Sequence, residues 1–135
     1  NKSPALRIYY TWYGRKRNMK NQGATRTYSD AHEKSICKAL GGYQNSNSGA
    51  GHFAKGDVVV KPASLLIEAK CCMSEKKSVS IKKEWIDKNK EEGFATGYYN
   101  QAVCVNFGPG TDNYYVINER LMKFLVEKLE EENSG

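Results

Sequence analysis

The clearest hydrophobic pattern lies in the middle of the chain. Residues 57–70 read Asp-Val-Val-Val-Lys-Pro-Ala-Ser-Leu-Leu-Ile-Glu-Ala-Lys, so two short apolar runs flank a turn that contains Pro62. Apolar runs of this length on either side of a proline-containing turn are typical of two strands joined by a tight connection. The pattern therefore predicts a β-hairpin.

The symmetry of this hairpin brings charged residues together. If the chain turns about its Pro-Ala dipeptide, Val60 faces Leu65 and Asp57 faces Glu68, with Cβ atoms roughly 5 Å apart. Two carboxylates at that separation repel unless a proton or a cation lies between them. Mg²⁺ is a suitable cation because it takes oxygen ligands, and strand alternation adds Lys70 to the face that carries Glu68. The hairpin therefore predicts a metal-dependent nuclease centre.

The remaining pattern predicts helices and further strands around the hairpin. A first helix begins at Ser29 or Asp30 and ends near Leu40, before two glycines. The order α-β-β-β-α-β-β-α indicates an α/β or α+β protein with a central mixed sheet. The other predicted elements are a helix from Ile81 to about Glu92, capped by Ser80 and ended by Gly93, strands at Tyr98–Phe107 and Tyr114–Ile117, and a last helix capped by Asn118 with Leu121, Phe124, Leu125 and Leu129 on one stripe.

Glu33, in the first predicted helix, has two interpretations. Asp30 and Glu33 have the spacing of a capping box at a helix start. Glu33 also shares one helical face with Ile36, Cys37 and Leu40. A carboxylate on an apolar, inward face needs a partner, which a metal site would supply, and we favour this second interpretation.

Positive charge is concentrated at the start of the chain. Residues 1–29 hold seven Lys and Arg and no acid, whereas residues 30–135 hold 14 basic and 15 acidic residues. A basic segment beside a near-neutral body indicates a polyanion partner. Aromatic residues lie among these charges, which suits phosphate contact with stacking on exposed bases. The alternative is an added strand at Leu6–Tyr13 that packs on the body, and in either case residues 1–28 form an arm outside a domain at residues 29–135.

Composition narrows the class of protein. A chain of 135 residues suits one domain with a real core, and 39% hydrophobic with 27% charged residues is typical of a soluble globular fold. No apolar run approaches the roughly 20 residues of a membrane span. Cys37, Cys71, Cys72 and Cys104 form no Cys-x-x-Cys pair. We therefore expect free thiols in a reducing, intracellular compartment, and a cytoplasmic location.

The acidic residues and the lysine occur in a familiar order. Glu33, then Asp57, then Glu68-Ala69-Lys70 resembles the PD-(D/E)XK nuclease superfamily, and within it the archaeal-type Holliday junction resolvases. The likeness covers roughly residues 29–128. Gly56 stands where the family usually has proline before the aspartate. The resolvase likeness also rests on two segments, the Ser46-Asn47-Ser48-Gly49-Ala50 loop and the basic Ser80-Ile81-Lys82-Lys83-Glu84-Trp85.

The resemblance implies a fold and a metal site. The fold would be a restriction-endonuclease-like α/β core, with a central mixed β-sheet flanked by helices. Asp57 and Glu68 would bind Mg²⁺ or Mn²⁺ together with the backbone carbonyl of Ala69. Glu33 would complete the metal site directly or through water. The chain would then be a metal-dependent endodeoxyribonuclease.

The resemblance also assigns the residues that meet the DNA. Lys70 would orient or activate the attacking water and stabilise charge on the phosphorane. Ser48, or its neighbour Ser46, would contact the scissile phosphate. The remaining candidate DNA-binding residues are all basic, namely Arg15, Lys16, Arg17, Lys20, Lys55, Lys82 and Lys83.

The function implied is that of a homodimer with two active sites, which nicks two opposed strands of a four-way junction during DNA recombination and repair. Symmetric paired cuts need two-fold symmetry, which a homodimer supplies. One alternative is a phage- or mobile-element-encoded nuclease that acts on flaps, single strands or duplex DNA. A third hypothesis is a catalytically silent DNA-binding module on the same fold. The complete set of three acids and a lysine argues against this third hypothesis, because clustered carboxylates without a cation are costly.

Overall fold

The computed structural model describes residues 21–45 and 57–134, with side chains from Arg26 onward. These residues form an α/β fold in which helices flank one mixed sheet of five strands. The predicted Ser46, Ser48, Lys55 and four N-terminal basic residues lie outside the described ranges. The elements are α1 (Asn21–Leu40), β1 (Tyr43–Gln44), β2 (Val58–Val60), β3 (Leu65–Lys70), α2 (Lys83–Thr96), β4 (Asn100–Val105), β5 (Tyr114–Ile117) and α3 (Glu119–Ser134).

The strands lie in the sheet in chain order, β1-β2-β3-β4-β5. Strands β3 and β4 are parallel, from Leu65 opposite Asn100 to Lys70 opposite Val105, and the other neighbouring pairs are antiparallel. A parallel pair requires a crossover connection, which contains α2. The predicted element order and the mixed sheet are confirmed.

The apolar runs of the hairpin form the centre of the core. Val58 and Ile67 have no exposed surface and pack with Ile36 of α1 on one face of the sheet, together with Cys104. Leu66, whose side chain lies on the other face of the sheet, is also fully buried. A strand buried on both faces needs continuous rather than alternating apolar residues. This explains the two unbroken apolar runs in the sequence.

Helix α1 ends where the sequence predicts but begins earlier. Gly41 follows Leu40 with a φ of +74° and donates its N–H to the Cys37 carbonyl, which is a left-handed helix C-cap. The predicted start at Ser29 or Asp30 is wrong, because both residues lie well inside the helix. The first two turns carry almost no apolar periodicity, so the pattern gave no sign of them. Tyr28, only 4% exposed, is the buried anchor of this part of the helix.

Helix α2 is shifted relative to the prediction. Its N-cap is Lys82, without a side-chain capping bond, so Ser80 is not the cap. Gly93 lies within the helix, and Gly97, with a φ of +84°, ends it. A Cβ on Gly93 would lie 2.6 Å from Nε2 of Gln101. This glycine therefore permits close packing of α2 on β4 and is not a stop signal.

The last predicted strand and the start of the last helix are confirmed. Strand β5 has the predicted bounds, and Asn118 Oδ1 accepts the Leu121 N–H at 2.8 Å as an N-cap. None of the sixteen residues of α3 is buried, so its apolar stripe is not part of the core. Within the described ranges, no helix is long and apolar enough to cross a membrane.

Candidate active site

The hairpin register places Asp57 at the end of the β2–β3 ladder. Val60 pairs with Leu65 and Val58 with Ile67, which confirms the predicted symmetry. The Asp57 N–H donates to the Ile67 carbonyl of β3, whereas its own carbonyl accepts the Asn45 N–H. In a regular strand both groups of one residue point toward the same neighbouring strand. The backbone is therefore bent at Asp57, next to the position opposite Glu68.

The Asp57 carboxylate is half-buried at this bend. Its Oδ2 accepts the Ala69 N–H at 2.8 Å, which anchors the side chain to the end of β3. Burial, followed by the charges of Glu68 and Glu33, raises the pKa of Asp57 to about 7, against the opposing effects of the Ala69 N–H and Lys70. The ionised form of Asp57 is therefore destabilised, and a bound proton or cation would relieve this destabilisation.

Glu68 and Lys70 lie on the same face of β3, as alternation predicts. Lys70 Nζ is 3.2 Å from Glu68 Oε2, and the Glu68 side chain is only 12% exposed. The same ammonium lies 5.0 Å from the centre of the Trp85 ring, in a cation–π contact from the first turn of α2. Lys70 is thus fixed between a carboxylate and an aromatic ring, at the end of the hairpin that carries Asp57.

Glu33 projects from α1 toward the same acids. Gln44 of β1 donates an amide hydrogen to Glu33 Oε1 at 3.2 Å and to Asp30 Oδ1 at 2.9 Å. Burial raises the pKa of Glu33, Gln44 lowers it, and the charges of Asp30 and Glu68 raise it. The capping-box interpretation is wrong because α1 begins at Asn21, and Asp30 instead pairs with Lys34 at 2.8 Å. Glu33 is therefore an inward-facing carboxylate of the candidate site.

The donor set suits a hard divalent ion, although it is not a preformed cage. Among the described residues, no three His, Cys, Asp or Glu side chains are grouped with the geometry to hold a metal ion. Asp57 and Glu68 provide two neighbouring carboxylates, and Mg²⁺ is usually held by one or two carboxylates with water completing its shell. Asp57 and Glu68 are therefore the candidate side chains for such an ion, with the Ala69 carbonyl as the third ligand that the resemblance implies. Glu33 interacts with this pair electrostatically.

Two of the predicted DNA-binding residues can be placed. Lys82 and Lys83 are exposed at the start of α2, where Lys83 pairs with Asp87 at 2.8 Å and Lys82 lies 4.0 Å from Glu84. Lys82 Nζ also lies 5.7 Å from the Trp85 ring. The Trp85 ring is therefore in contact both with an exposed lysine, Lys82, and with the lysine of the candidate site, Lys70.

Sequence reasoning did not identify two residues that support the site. Gln44 holds both carboxylates on one edge of α1, and nothing in a two-residue strand indicated that role. Trp85 entered the sequence analysis only as the end of the basic segment Ser80–Trp85, with no role in the site. A tryptophan three residues after Lys82 is a weak signal for a cation–π contact, because such spacing is common on helices.

The four cysteines are free thiols, of which Cys104 is buried and the other three are half-buried. Cys104 is buried with its Sγ 3.6 Å from His32 Nε2. Burial raises the pKa of Cys104 to about 12, so this thiol stays protonated and is not a nucleophile. His32 also contacts Asn113 Oδ1 at 3.0 Å, which makes this group a buried polar cluster of the core.

Comparison of the chain with protein-family models, with curated proteins and with solved structures finds no match.

Proposed function

We propose that this chain is a metal-dependent DNA endonuclease whose active site lies at the open end of the β2–β3 hairpin. The observation that supports this most directly is the meeting of Asp57, Glu68 and Lys70 at that end. A charged acid that raises its neighbour's pKa, with a lysine on the same face, is an arrangement suited to phosphodiester hydrolysis. Strained ionisation of this kind is more frequent at functional sites than elsewhere.

Asp57, Glu68 and the carbonyl of Ala69 would hold Mg²⁺ or Mn²⁺. A divalent ion at this place supplies a lowered pKa for bound water and neutralises charge on phosphate oxygens. The half-buried position of Asp57 strengthens its attraction to a cation, because the surroundings screen the charge less than water does. Glu33, oriented by Gln44, adds negative charge beside the pair and accepts hydrogen bonds from water near it.

Lys70 would act on the phosphate. Its ammonium is already oriented by Glu68 and by the Trp85 ring, so little reorganisation is needed when a phosphate arrives. The positive charge would stabilise the negative charge that develops on the phosphate oxygens during attack. Lys70 also favours the ionised form of Asp57.

The substrate we favour is a branched DNA, best represented by a four-way junction cut by a homodimer. The exposed lysines at the start of α2 lie close to Trp85 and so to the site, where they can contact the phosphate backbone. The positive end of the helix dipole at the same place favours an anion. The basic segment in residues 1–20 adds further charge for a polyanion.

A substrate comparison tests this proposal. Equal concentrations of a fixed four-way junction, a flap, a single strand and a linear duplex are incubated with the full chain and Mg²⁺. We expect the junction to be cut fastest, by paired nicks placed symmetrically on opposed strands. Faster cleavage of the flap, the single strand or the duplex would favour the second hypothesis, a nuclease of phage or mobile-element type. Tight junction binding without cleavage in any divalent metal would favour a silent binding module.

A further inference from the structure

Helix α3 carries its largest apolar side chains on the outside of the protein. Met122, Leu125, Val126 and Leu129 follow the i, i+3, i+4, i+7 spacing of one helical face, which we call the α3 stripe. Their exposed fractions are 51%, 42%, 41% and 62%. This spacing is typical of a helix that buries one face. In the described part of the chain, no element covers the α3 stripe.

The α3 stripe is exposed, and the helix is attached to the body near its start. Arg120 Nη2, in the first turn of α3, donates to the Tyr99 carbonyl and to Asn100 Oδ1, each at 2.9 Å. At 3.6 residues per turn, Leu129 lies about 180° around the helix from Arg120, and Leu125 about 140°. Arg120 therefore attaches the start of α3 to the body, and the stripe leaves its apolar side chains exposed along the helix.

A helix in this position needs a partner. Its 16 residues extend for about 24 Å. Isolated helices of this length are marginal in water, and most helical stability in proteins comes from packing of an apolar face. No residue of α3 is buried, so a surface that meets the stripe would add the packing that the described part of the chain does not supply.

The charges of α3 identify which surface that is. The first half of the helix has a net positive charge and the second half is strongly acidic, so the helix is complementary to itself when reversed. A parallel pairing of two copies would oppose the acidic halves, whereas an antiparallel pairing opposes unlike charges and unlike helix dipoles. The charged residues are Glu119, Arg120 and Lys123 in the first half and Glu127, Lys128, Glu130, Glu131 and Glu132 in the second.

We propose that the α3 stripe binds the α3 stripe of a second copy of this chain, antiparallel, about a two-fold axis. Lys123 and Glu130 are seven residues apart and so lie on the same edge of the stripe. In the antiparallel pair, Lys123 of each copy lies beside Glu130 of the partner subunit. The interface therefore has an apolar centre and two equivalent ion pairs at its rim.

This inference rests on α3 and not on the chemistry of the hairpin, but it deepens the proposed function by naming the surface that makes the dimer. Sedimentation equilibrium of the full chain, from low to high micromolar concentration, measures the association. We expect a dimer for the native sequence and a dissociation constant weakened about 100-fold or more for Leu125→Glu, because both copies bury a charge. Phe94→Glu is the matched control, since Phe94 is 64% exposed on α2, and its dimer should be unchanged.

A charge exchange makes the test specific for orientation. Lys123→Glu places like charges at the rim and should weaken the dimer, by about tenfold. The double variant Lys123→Glu with Glu130→Lys restores opposite charges only in the antiparallel pair, and it should recover the native dissociation constant. Circular dichroism at the same concentrations shows that each variant remains folded.

Several results would overturn the proposal. A native chain that is monomeric throughout the concentration range excludes self-association, and a dimer that Leu125→Glu leaves intact places the interface elsewhere. Failure of the double variant to recover excludes the antiparallel orientation. Cleavage assays are independent of these results: a dimer that cuts no DNA contradicts the proposed chemistry and not the interface. A monomer that cuts DNA contradicts the interface and the homodimer, and leaves the hairpin site as the site of cleavage.

Discussion

Burial is unusual at two places in the molecule, the open end of the hairpin and the outer face of α3. The hairpin partly buries charged side chains, whereas α3 exposes apolar ones. At the hairpin, carboxylates lie in partly buried positions, and the pKa of Asp57 rises to about 7. On α3, four large apolar side chains stand exposed on one face. Buried acids favour a bound proton or cation, and exposed apolar stripes favour contact with a protein surface.

The comparison shows that each of the two regions favours a different kind of ligand. The hairpin acids lie at the end of two strands whose apolar residues are buried in the core, so the packing of those strands holds the acids near one another. Helix α3 contacts the body mainly through its first turn and contributes nothing to the core. The first region therefore favours a small cation beside its acids, and the second favours a macromolecular surface.

The first prediction compares two leucines, one from each region. Leu66→Ala removes a fully buried side chain and should lower the free energy of unfolding by about 2–5 kcal/mol. Leu129→Ala removes a side chain that is 62% exposed and should cost under about 0.5 kcal/mol when the protein is dilute. Urea denaturation at low and high protein concentration measures both. A Leu129→Ala effect that does not grow with concentration would contradict a shared interface on α3.

The second prediction concerns Lys70, the positively charged side chain of the hairpin site. Lys70→Ala should lower the cleavage rate in Mg²⁺ by about 10²–10³-fold, because a preorganised positive charge at the phosphate is lost. Lys61→Ala is the matched control, as Lys61 is exposed in the turn at the opposite end of the same hairpin. Equal rates for Lys70→Ala and Lys61→Ala would remove Lys70 from the reaction.

The third prediction uses the pH dependence of stability. The folded-state pKa of Asp57, about 7, lies above the unfolded value of about 3.9, so folding is favoured by protonation. The contribution of Asp57 to stability is fully present below pH 4 and is lost as pH rises through 7. Asp57→Asn should therefore be more stable than the native protein at pH 8 in EDTA, by about 1 kcal/mol or more, and about equal at pH 4.

Thermal unfolding of both proteins measures this difference, and adding Mg²⁺ at pH 8 should reduce it. The comparison between variants is needed because His32 acts in the opposite sense. Burial lowers the pKa of His32, so its contribution to stability is lost as pH falls below about 6.5. Both proteins carry His32, and its effect cancels. A native protein that is more stable than Asp57→Asn at pH 8 without metal would contradict the strained carboxylate.

The smallest predicted effect belongs to Trp85. Trp85→Ala should lower the cleavage rate by about 2–5-fold, since a cation–π contact of this kind contributes about 0.5–1 kcal/mol to holding Lys70. Trp85→Phe keeps an aromatic face and should retain most of the rate. Steady-state kinetics on one substrate measure both variants. Equal losses for phenylalanine and alanine would assign Trp85 to packing alone.

Much of the fold followed from local patterns. The hairpin register was predictable because two apolar runs around a Pro-Ala turn permit one symmetric pairing, and strand alternation then placed Lys70 beside Glu68. The ends of the helices were less predictable. Gly93 resembles a stop signal, yet its role is to let Gln101 approach, which depends on a strand eight residues later. The first turns of α1 have almost no apolar residues, so no periodicity marked them.

The candidate site was predictable only in part. Asp57, Glu68 and Lys70 are close in sequence on one hairpin, and their proximity follows from its register. The approach of Glu33 depends on how α1 packs on the sheet, and its orientation depends on Gln44, which no spacing rule indicated. The exposure of the α3 stripe could not be predicted either, because an amphipathic pattern does not say whether its apolar face meets the same chain or another.

The central claim is that Asp57 and Glu68 form a metal-dependent phosphodiesterase site, and cleavage of a fixed four-way junction tests it most directly. The native chain and Asp57→Asn are compared in Mg²⁺ and in EDTA, with cut positions mapped on all strands. We expect paired symmetric nicks from the native chain in Mg²⁺, none in EDTA, and a loss of about 10³-fold or more in Asp57→Asn. Undiminished cleavage by folded Asp57→Asn would contradict the assignment of this site.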